Sequence, residues 1–141
     1  MKTVLFICTH NSARSQMAEA FLNHLAKGKA RAISAGSEPA DRVNPLVVEA
    51  MREIGIDISQ NKPKLLTDEM MQNIDRAITM GCEVSCPYTA VETEDWALED
   101  PEGKTPEEVR KIRDEIKTRV VSLLVQLGGE DETDPFDFIS R

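Results

Sequence analysis

The sequence predicts an α/β fold in which a small parallel sheet of about four strands carries helices on both faces. Short apolar runs alternate along the chain with longer segments whose apolar residues recur every three or four positions. Strands that alternate with helices in this way are typical of parallel sheets. The first run, residues 3–9, is apolar at consecutive positions, which indicates a strand buried on both faces.

The first half of the chain holds two predicted strands and two predicted helices. After the strand at 3–9, apolar residues keep helical spacing over 14–27, and a glycine follows. Residues 30–36 form the second predicted strand. The second helix starts at an Asn-Pro pair and runs over 44–54 to another glycine, because asparagine caps helices well and proline fits their first position.

The second half predicts a short helix within 65–74 and a third strand over 76–82. A fourth strand is a weaker prediction, at 88–91 or at 95–98. The last helix is predicted because Thr105 is an N-cap, Pro106 holds the first helical position and Glu108 completes a capping box. Apolar residues then recur at helical steps as far as Leu127, before two glycines.

Length and charge restrict the organisation and the partners. The 141 residues suffice for one domain, which we expect to be a catalytic α/β domain over 1–128. Residues 129–141 are acidic and rich in turn residues, and we expect a poorly ordered tail. The net charge of −8 argues against a nucleic-acid footprint or an anionic membrane surface, since both need basic patches. We expect a monomer.

The three cysteines are Cys8, Cys82 and Cys86. The N-terminus predicts a buried strand rather than a signal peptide, and no apolar run approaches the length of a membrane span, so we expect a cytoplasmic protein. Thiols in that compartment are usually reduced. Catalytic, redox or metal roles are therefore better interpretations of these cysteines than a structural disulfide framework.

The segment CTHNSARS, from Cys8 to Ser15, lies between the first strand and the first helix. A loop that wraps before a helix N-terminus presents backbone N–H groups, and the helix dipole adds positive charge. Arg14 is placed to bind two oxygens of a tetrahedral oxyanion in a fork. The same field favours a thiolate at Cys8, and a hydroxyl at Ser15 can hydrogen-bond that sulfur. We expect the oxyanion to contact Thr9, His10, Asn11, Ser12, Ala13, Arg14 and Ser15.

Other interpretations of these residues have less support. Free cysteine is commonly a buried apolar residue, but the strand before Cys8, the helix after it and the spacing to Arg14 disfavour that role here. No glycine-rich nucleotide-binding motif is present. A zinc site at Cys82 and Cys86 would need further ligands at tight spacing, and the chain has only two histidines, so we expect no metal centre.

The segment FICTHNSARSQMAEAF, residues 6–21, resembles the phosphate loop of the low-molecular-weight protein tyrosine phosphatase fold. It is more similar still to the arsenate reductases of that fold, which are recharged by thioredoxin or another thiol carrier. The resemblance extends to about residue 127 and includes SAG (34–36), NP (44–45), IDIS (56–59), ITMGCEVSCP (78–87), DWALEDPEGK (95–104) and IRDEIKTRV (112–120).

The resemblance implies a relay of three cysteines. Cys8 attacks arsenate, Cys82 attacks Cys8 with release of arsenite, and Cys86 then attacks Cys82. The resulting Cys82–Cys86 disulfide is passed to thioredoxin or a similar thiol donor. Some relatives separate the two cysteines by more residues and lack the glycine that precedes Cys82 here. The order of attack is therefore left open.

The resemblance also implies a general acid and a cation. Asp100, which precedes a proline, is the candidate acid, with Asp95 and Glu99 as alternatives. Asp134 precedes a second proline but follows the last helix, and is not expected to take part. In some relatives the positions of Asn11 and Glu19 help to hold a cation, so a monovalent cation is a further expectation. No tightly bound cofactor is expected.

Three functions remain open from the sequence. The first is reduction of arsenate through Cys8, Cys82 and Cys86. The second is hydrolysis of phosphotyrosine or small phosphate esters through Cys8, Arg14 and Asp100, although one Tyr and one Trp supply little aromatic surface for a phosphotyrosine ring. The third is a non-enzymatic module that senses an oxyanion or redox state, with the acidic tail as its candidate binding surface.

Overall fold

The computed structural model describes residues 1–81 and 93–128. Eight elements follow in chain order: β1 (Lys2–Cys8), α1 (Arg14–Leu25), β2 (Ala30–Gly36), α2 (Pro45–Arg52), α3 (Asp68–Gln72), β3 (Arg76–Thr79), β4 (Thr93–Asp95) and α4 (Pro106–Leu127). Cys82, Cys86, the strand candidate at 88–91 and the predicted tail lie outside the described residues.

The four strands form one sheet in the order β2-β1-β3-β4, and all three pairings are parallel. The register sets Cys8 opposite Gly36, Ile7 opposite Thr79, and Thr79 opposite Asp95. Since parallel strands share one carboxyl edge, these strand ends lie along the same edge of the sheet. Ligands bind beyond this edge in open parallel sheets.

Successive residues of β1 face two different apolar layers. Val4 and Phe6 pack in the larger core with the buried faces of α1, α2 and α4. Leu5 and Ile7 pack in a smaller core on the other face, against which Met70 and Met71 of α3 lie. The predicted fold class, a parallel sheet of four strands with helices on both faces, is confirmed.

Local signals set most of the element ends. The capping box predicted for the last helix is present, with the Glu108 amide donating to Thr105 Oγ1 and the Thr105 amide donating to Glu108 Oε1. Asn44 accepts from the Leu46 amide and caps α2 as predicted. The fourth strand, Thr93–Asp95, overlaps the prediction at 95–98 only at Asp95, because Trp96 directly after it turns into the core against Phe6, with ring centroids 5.6 Å apart.

Within residues 1–81 and 93–128, no helix combines the length and apolar character needed to cross a membrane.

Candidate active site

The loop between β1 and α1 joins a buried strand end to an uncapped helix start. Cys8 is the last residue of β1 and is buried, with 3% of its surface exposed. Ala13 stands at the N-cap position of α1, and no side chain caps this end. The first turn of a helix has N–H groups without partners inside the helix, and the dipole makes this end positive. A bound oxyanion would therefore take the place of a cap.

Three carbonyls of the loop fix the direction of its peptide groups. The carbonyl oxygens of Thr9, His10 and Ser12 accept from the backbone amides of residues 38, 40 and 44, at 2.9, 3.0 and 2.8 Å. The N–H and C=O of one trans peptide point in opposite directions. The amides that follow these three carbonyls therefore point away from the 38–44 segment.

The Cys8 sulfur lies 2.8 Å from the Ser15 hydroxyl, and both groups are buried. Ser15 Oγ also accepts a hydrogen bond of 2.7 Å from the Asn11 side-chain amide. A thiolate can only accept, so in the ionised state Ser15 donates its proton to the sulfur while Asn11 orients its oxygen. The Ser15 hydroxyl is therefore within hydrogen-bond distance of the sulfur.

Asn11 fixes the shape of the loop through its side-chain amide. The residue is fully buried and has a positive φ of 50°, a conformation that asparagine tolerates better than most residues. Its Nδ2 donates to Ser15 and to Ser34 of β2, and its Oδ1 accepts from the Gln16 side chain and the Lys64 amide. The sequence pattern did not single out Gln16, Ser34 or Lys64, because no local signal shows that they meet at Asn11.

Arg14 extends from the start of α1 to the segment after β4. Its guanidinium is buried, and Nη1 donates to the Leu98 carbonyl at 3.0 Å. Nη2 lies 3.8 Å from Asp100 Oδ2. A Cβ at Gly81 would lie 2.5 Å from Nη1, so only glycine leaves room for the guanidinium in this position.

The three candidate acids occupy different places. Asp100 is half-exposed beside Arg14, and its other oxygen accepts from the Glu102 amide at 3.0 Å. Asp95 instead accepts from the Thr79 hydroxyl at 2.6 Å and from the Gly81 amide at 3.3 Å. Glu99 is 74% exposed and pairs with Lys104. Asp100 is therefore the carboxyl group, among these three, that the structure brings to Arg14.

The two histidines lie outside the interior of the loop. His10 is exposed, and its Nδ1 lies 3.0 Å from the Glu38 carbonyl oxygen. A carbonyl only accepts, so Nδ1 carries the proton in this contact. His24 is exposed on α1. Within the described ranges, no three His, Cys, Asp or Glu side chains are grouped closely enough to hold a metal ion.

The family model of the low molecular weight phosphotyrosine protein phosphatases matches residues 3–133. The chain belongs to this family. The resemblance identified from the loop and the later motifs is thereby confirmed.

Several proteins that are similar to this chain are named arsenate reductases. An arsenate reductase of Staphylococcus aureus strain Newman is 41% identical over 123 residues, which cover 84% of this chain and 93% of that protein. A solved structure of an arsenate reductase in the phosphate binding state superposes with a TM-score of 0.82 at 39% identity, over 90% of this chain and 99% of that one. The thioredoxin-dependent arsenate reductase of Corynebacterium glutamicum gives a TM-score of 0.80 at 39% identity, over 93% and 64% of the two chains.

Proposed function

We propose that the protein is an arsenate reductase in which Cys8 is the nucleophile, Cys82 and Cys86 form the redox pair, and thioredoxin or a similar dithiol is the external reductant. The observation that carries the proposal is the buried Cys8 sulfur at 2.8 Å from Ser15, in a loop whose amides and Arg14 suit a tetrahedral oxyanion. The two further cysteines supply thiols that hydrolysis does not need. The similarity to proteins named arsenate reductases supports the same reaction.

In the first step, the Cys8 thiolate attacks the arsenic atom and forms a sulfur–arsenic(V) bond. Arg14 and the loop amides, including those of Thr9, His10, Asn11, Ser12, Ala13 and Ser15, hold the arsenate oxygens. One oxygen of arsenate leaves as water after it takes a proton. Asp100 is the proposed donor of that proton, and its carboxyl oxygen lies 3.8 Å from Arg14.

In the second step, the Cys82 thiolate attacks the Cys8 sulfur, and the electron pair of the sulfur–arsenic bond passes to arsenic. Arsenic(V) is reduced to arsenic(III) and arsenite leaves, while a Cys8–Cys82 disulfide forms. The Cys86 thiolate then attacks Cys82 and releases Cys8 as a thiolate. The external dithiol reduces the Cys82–Cys86 disulfide with its two electrons, which closes the cycle. These steps need reduced thiols, and for this reason we place the enzyme in the cytoplasm.

A phosphatase is the second candidate, because the loop, Arg14 and Asp100 do not by themselves distinguish arsenate from phosphate. One contact weakens this alternative for phosphotyrosine. Trp96, the single tryptophan, is buried against Phe6 and lies under the Arg119 guanidinium, so it does not offer a free face to an aromatic substrate. The single Tyr, Tyr88, lies outside the described residues.

Two assays on the same variants separate the candidates. Arsenate reduction is followed as NADPH oxidation in the presence of thioredoxin and thioredoxin reductase, and hydrolysis is followed with p-nitrophenyl phosphate. We expect Cys8→Ser to abolish both activities and Cys86→Ser to abolish arsenate reduction alone. Hydrolysis without any arsenate-dependent NADPH oxidation in the wild type would overturn the reductase proposal and favour the phosphatase.

A further inference from the structure

The expectation of a monovalent cation near Asn11 and Glu19 depends on oxygen atoms with lone pairs to spare. Asn11 Oδ1 already accepts from the Lys64 amide at 2.8 Å and lies 3.1 Å from Gln16 Nε2. A side-chain amide oxygen has two lone pairs for such bonds. A cation at this atom would have to displace one of the two N–H donors.

The neighbouring oxygens are also engaged. Gln16 Oε1 accepts from the Asn61 side chain at 3.2 Å. The main-chain oxygens of Asn11 and Lys62 lie 3.2 and 3.3 Å from Gln16 Nε2, whose two N–H groups are shared between them and Asn11 Oδ1. Among the described residues, every buried side-chain nitrogen or oxygen has a hydrogen-bond partner. A metal cation beside Asn11 would therefore compete with the N–H donors that already hold these oxygens.

Glu19 has a cationic partner within the chain. Its carboxylate is 16% exposed, and Oε1 lies 3.7 Å from the Lys64 ammonium group. The backbone of Lys64 is held on both sides, since its amide donates to Asn11 Oδ1 and its carbonyl accepts from the Gly36 amide at 2.8 Å. The hydrogen bond that holds Asn11 in the loop thus also holds the backbone from which the Lys64 side chain extends.

We propose that Lys64 supplies the positive charge beside Glu19 that an external cation would otherwise provide. A largely buried carboxylate one helical turn after Ser15 repels an oxyanion in the loop, and the ammonium group offsets that repulsion. Lys64 is therefore a positioning residue that acts on the loop through Asn11 and Glu19. The inference rests on the oxyanion-binding role proposed for the loop and is independent of the cysteine relay.

Phosphate binding and thermal unfolding test the inference without arsenate reduction. For the wild type, we expect the same phosphate Kd by calorimetry, and the same Tm, in KCl, NaCl and choline chloride at equal ionic strength. Lys64→Ala should weaken phosphate binding by about threefold, and lower Tm by about 3 °C. Lys64→Arg should have the phosphate Kd and the Tm of the wild type. The matched control is Lys62→Ala, which removes an exposed lysine two residues away.

A double-mutant cycle identifies the partner of Lys64. In a Glu19→Gln background, Lys64→Ala should cost less phosphate affinity than in the wild type, because no carboxylate is left unpaired. Tighter phosphate binding or a higher Tm of the wild type in KCl than in choline chloride would overturn the inference. A Lys64→Ala variant with the same phosphate Kd and the same Tm as Lys62→Ala would also overturn it. If only the cysteine relay were wrong, the wild type would still bind phosphate. This result separates a failure of the relay from a failure of the inference on Lys64.

Discussion

Single residues around Arg14 determine whether its guanidinium can reach a bound oxyanion. The guanidinium donates to the Leu98 carbonyl and passes close to the Cα of Gly81. Gly81 has a φ of 79°, and a methyl group on it would meet Nη1 at 2.5 Å. Glycine therefore suits this position both for its backbone conformation and for the space that it leaves the guanidinium.

We expect Gly81→Ala to weaken phosphate binding by about tenfold or more, because the guanidinium must move and its charged hydrogen bonds to the oxyanion are lost. Calorimetric titration with phosphate measures the effect. Gly55→Ala is the matched control, since Gly55 has a similar φ of 84° but nothing within 4 Å of a built Cβ. Both variants should lose about 1 kcal/mol of unfolding free energy through backbone strain. Equal phosphate affinities for the two variants would refute the role assigned to Gly81.

At the scale of elements, one cluster of charges connects α2 to α4. Glu53, just after α2, accepts three hydrogen bonds from Arg110 and one from Arg113. Arg113 is buried and also donates to the Ala50 carbonyl at 2.8 Å. Because α4 packs on α1 as well, this cluster helps to fix the helical layer that supports the loop.

The hydrogen bond from Arg110, followed by that from Arg113, holds the pKa of Glu53 below its ordinary value of 4.5. A lowered pKa in the folded state adds stability above the ordinary value, and this stability is lost as the pH falls through the folded-state value. Glu53→Gln should therefore lower Tm most at neutral pH, and the difference from wild type should shrink below about pH 4.

Thermal unfolding from pH 7 to about pH 3 measures this difference. Glu49→Gln is the matched control, because Glu49 pairs with Arg52 on the same helix and both side chains are 60% exposed. That control should shift Tm little at any pH. A Glu53→Gln deficit that stays constant over the whole range would contradict the pH dependence.

At the scale of the whole molecule, the parallel sheet brings distant segments to one edge. Cys8 ends β1, Gly81 follows β3, and Asp95 ends β4 while it accepts from the Gly81 amide. Residue 82 is the next residue after Gly81, so the proposed redox pair follows this strand end in the sequence. The relay and the division into a domain over 1–128 and a tail over 129–141 stay predictions.

We expect the oxidised protein, after one turnover with arsenate and no thiol donor, to carry a disulfide between Cys82 and Cys86. The reason is that the last exchange of the relay leaves Cys8 as a free thiolate. Alkylation of free thiols followed by peptide mapping locates the bond. In Cys86→Ser the relay should stop one step earlier, with Cys8 joined to Cys82. Finding Cys82 and Cys86 both alkylated after turnover would rule out the relay.

The sequence by itself determined the features that depend on neighbours along the chain. The capping box at Thr105 and Glu108, the cap at Asn44 and the strand–loop–helix order around Cys8 each involve residues within one helical turn or one loop. Such contacts form from local spacing, and the order of strands and helices then restricts the sheet to a parallel one.

Only the tertiary structure decided which residues complete the site. Asn11 meets Ser34 and Lys64, Gly81 lies on Arg14, and Trp96 is buried rather than available to a substrate. These contacts join residues far apart in the chain, and they depend on strand register and on packing across the sheet. The spacing of residue types along the chain does not show the strand register or the packing across the sheet. The pairing of Lys64 with Glu19, at 3.7 Å, is a further contact of this kind.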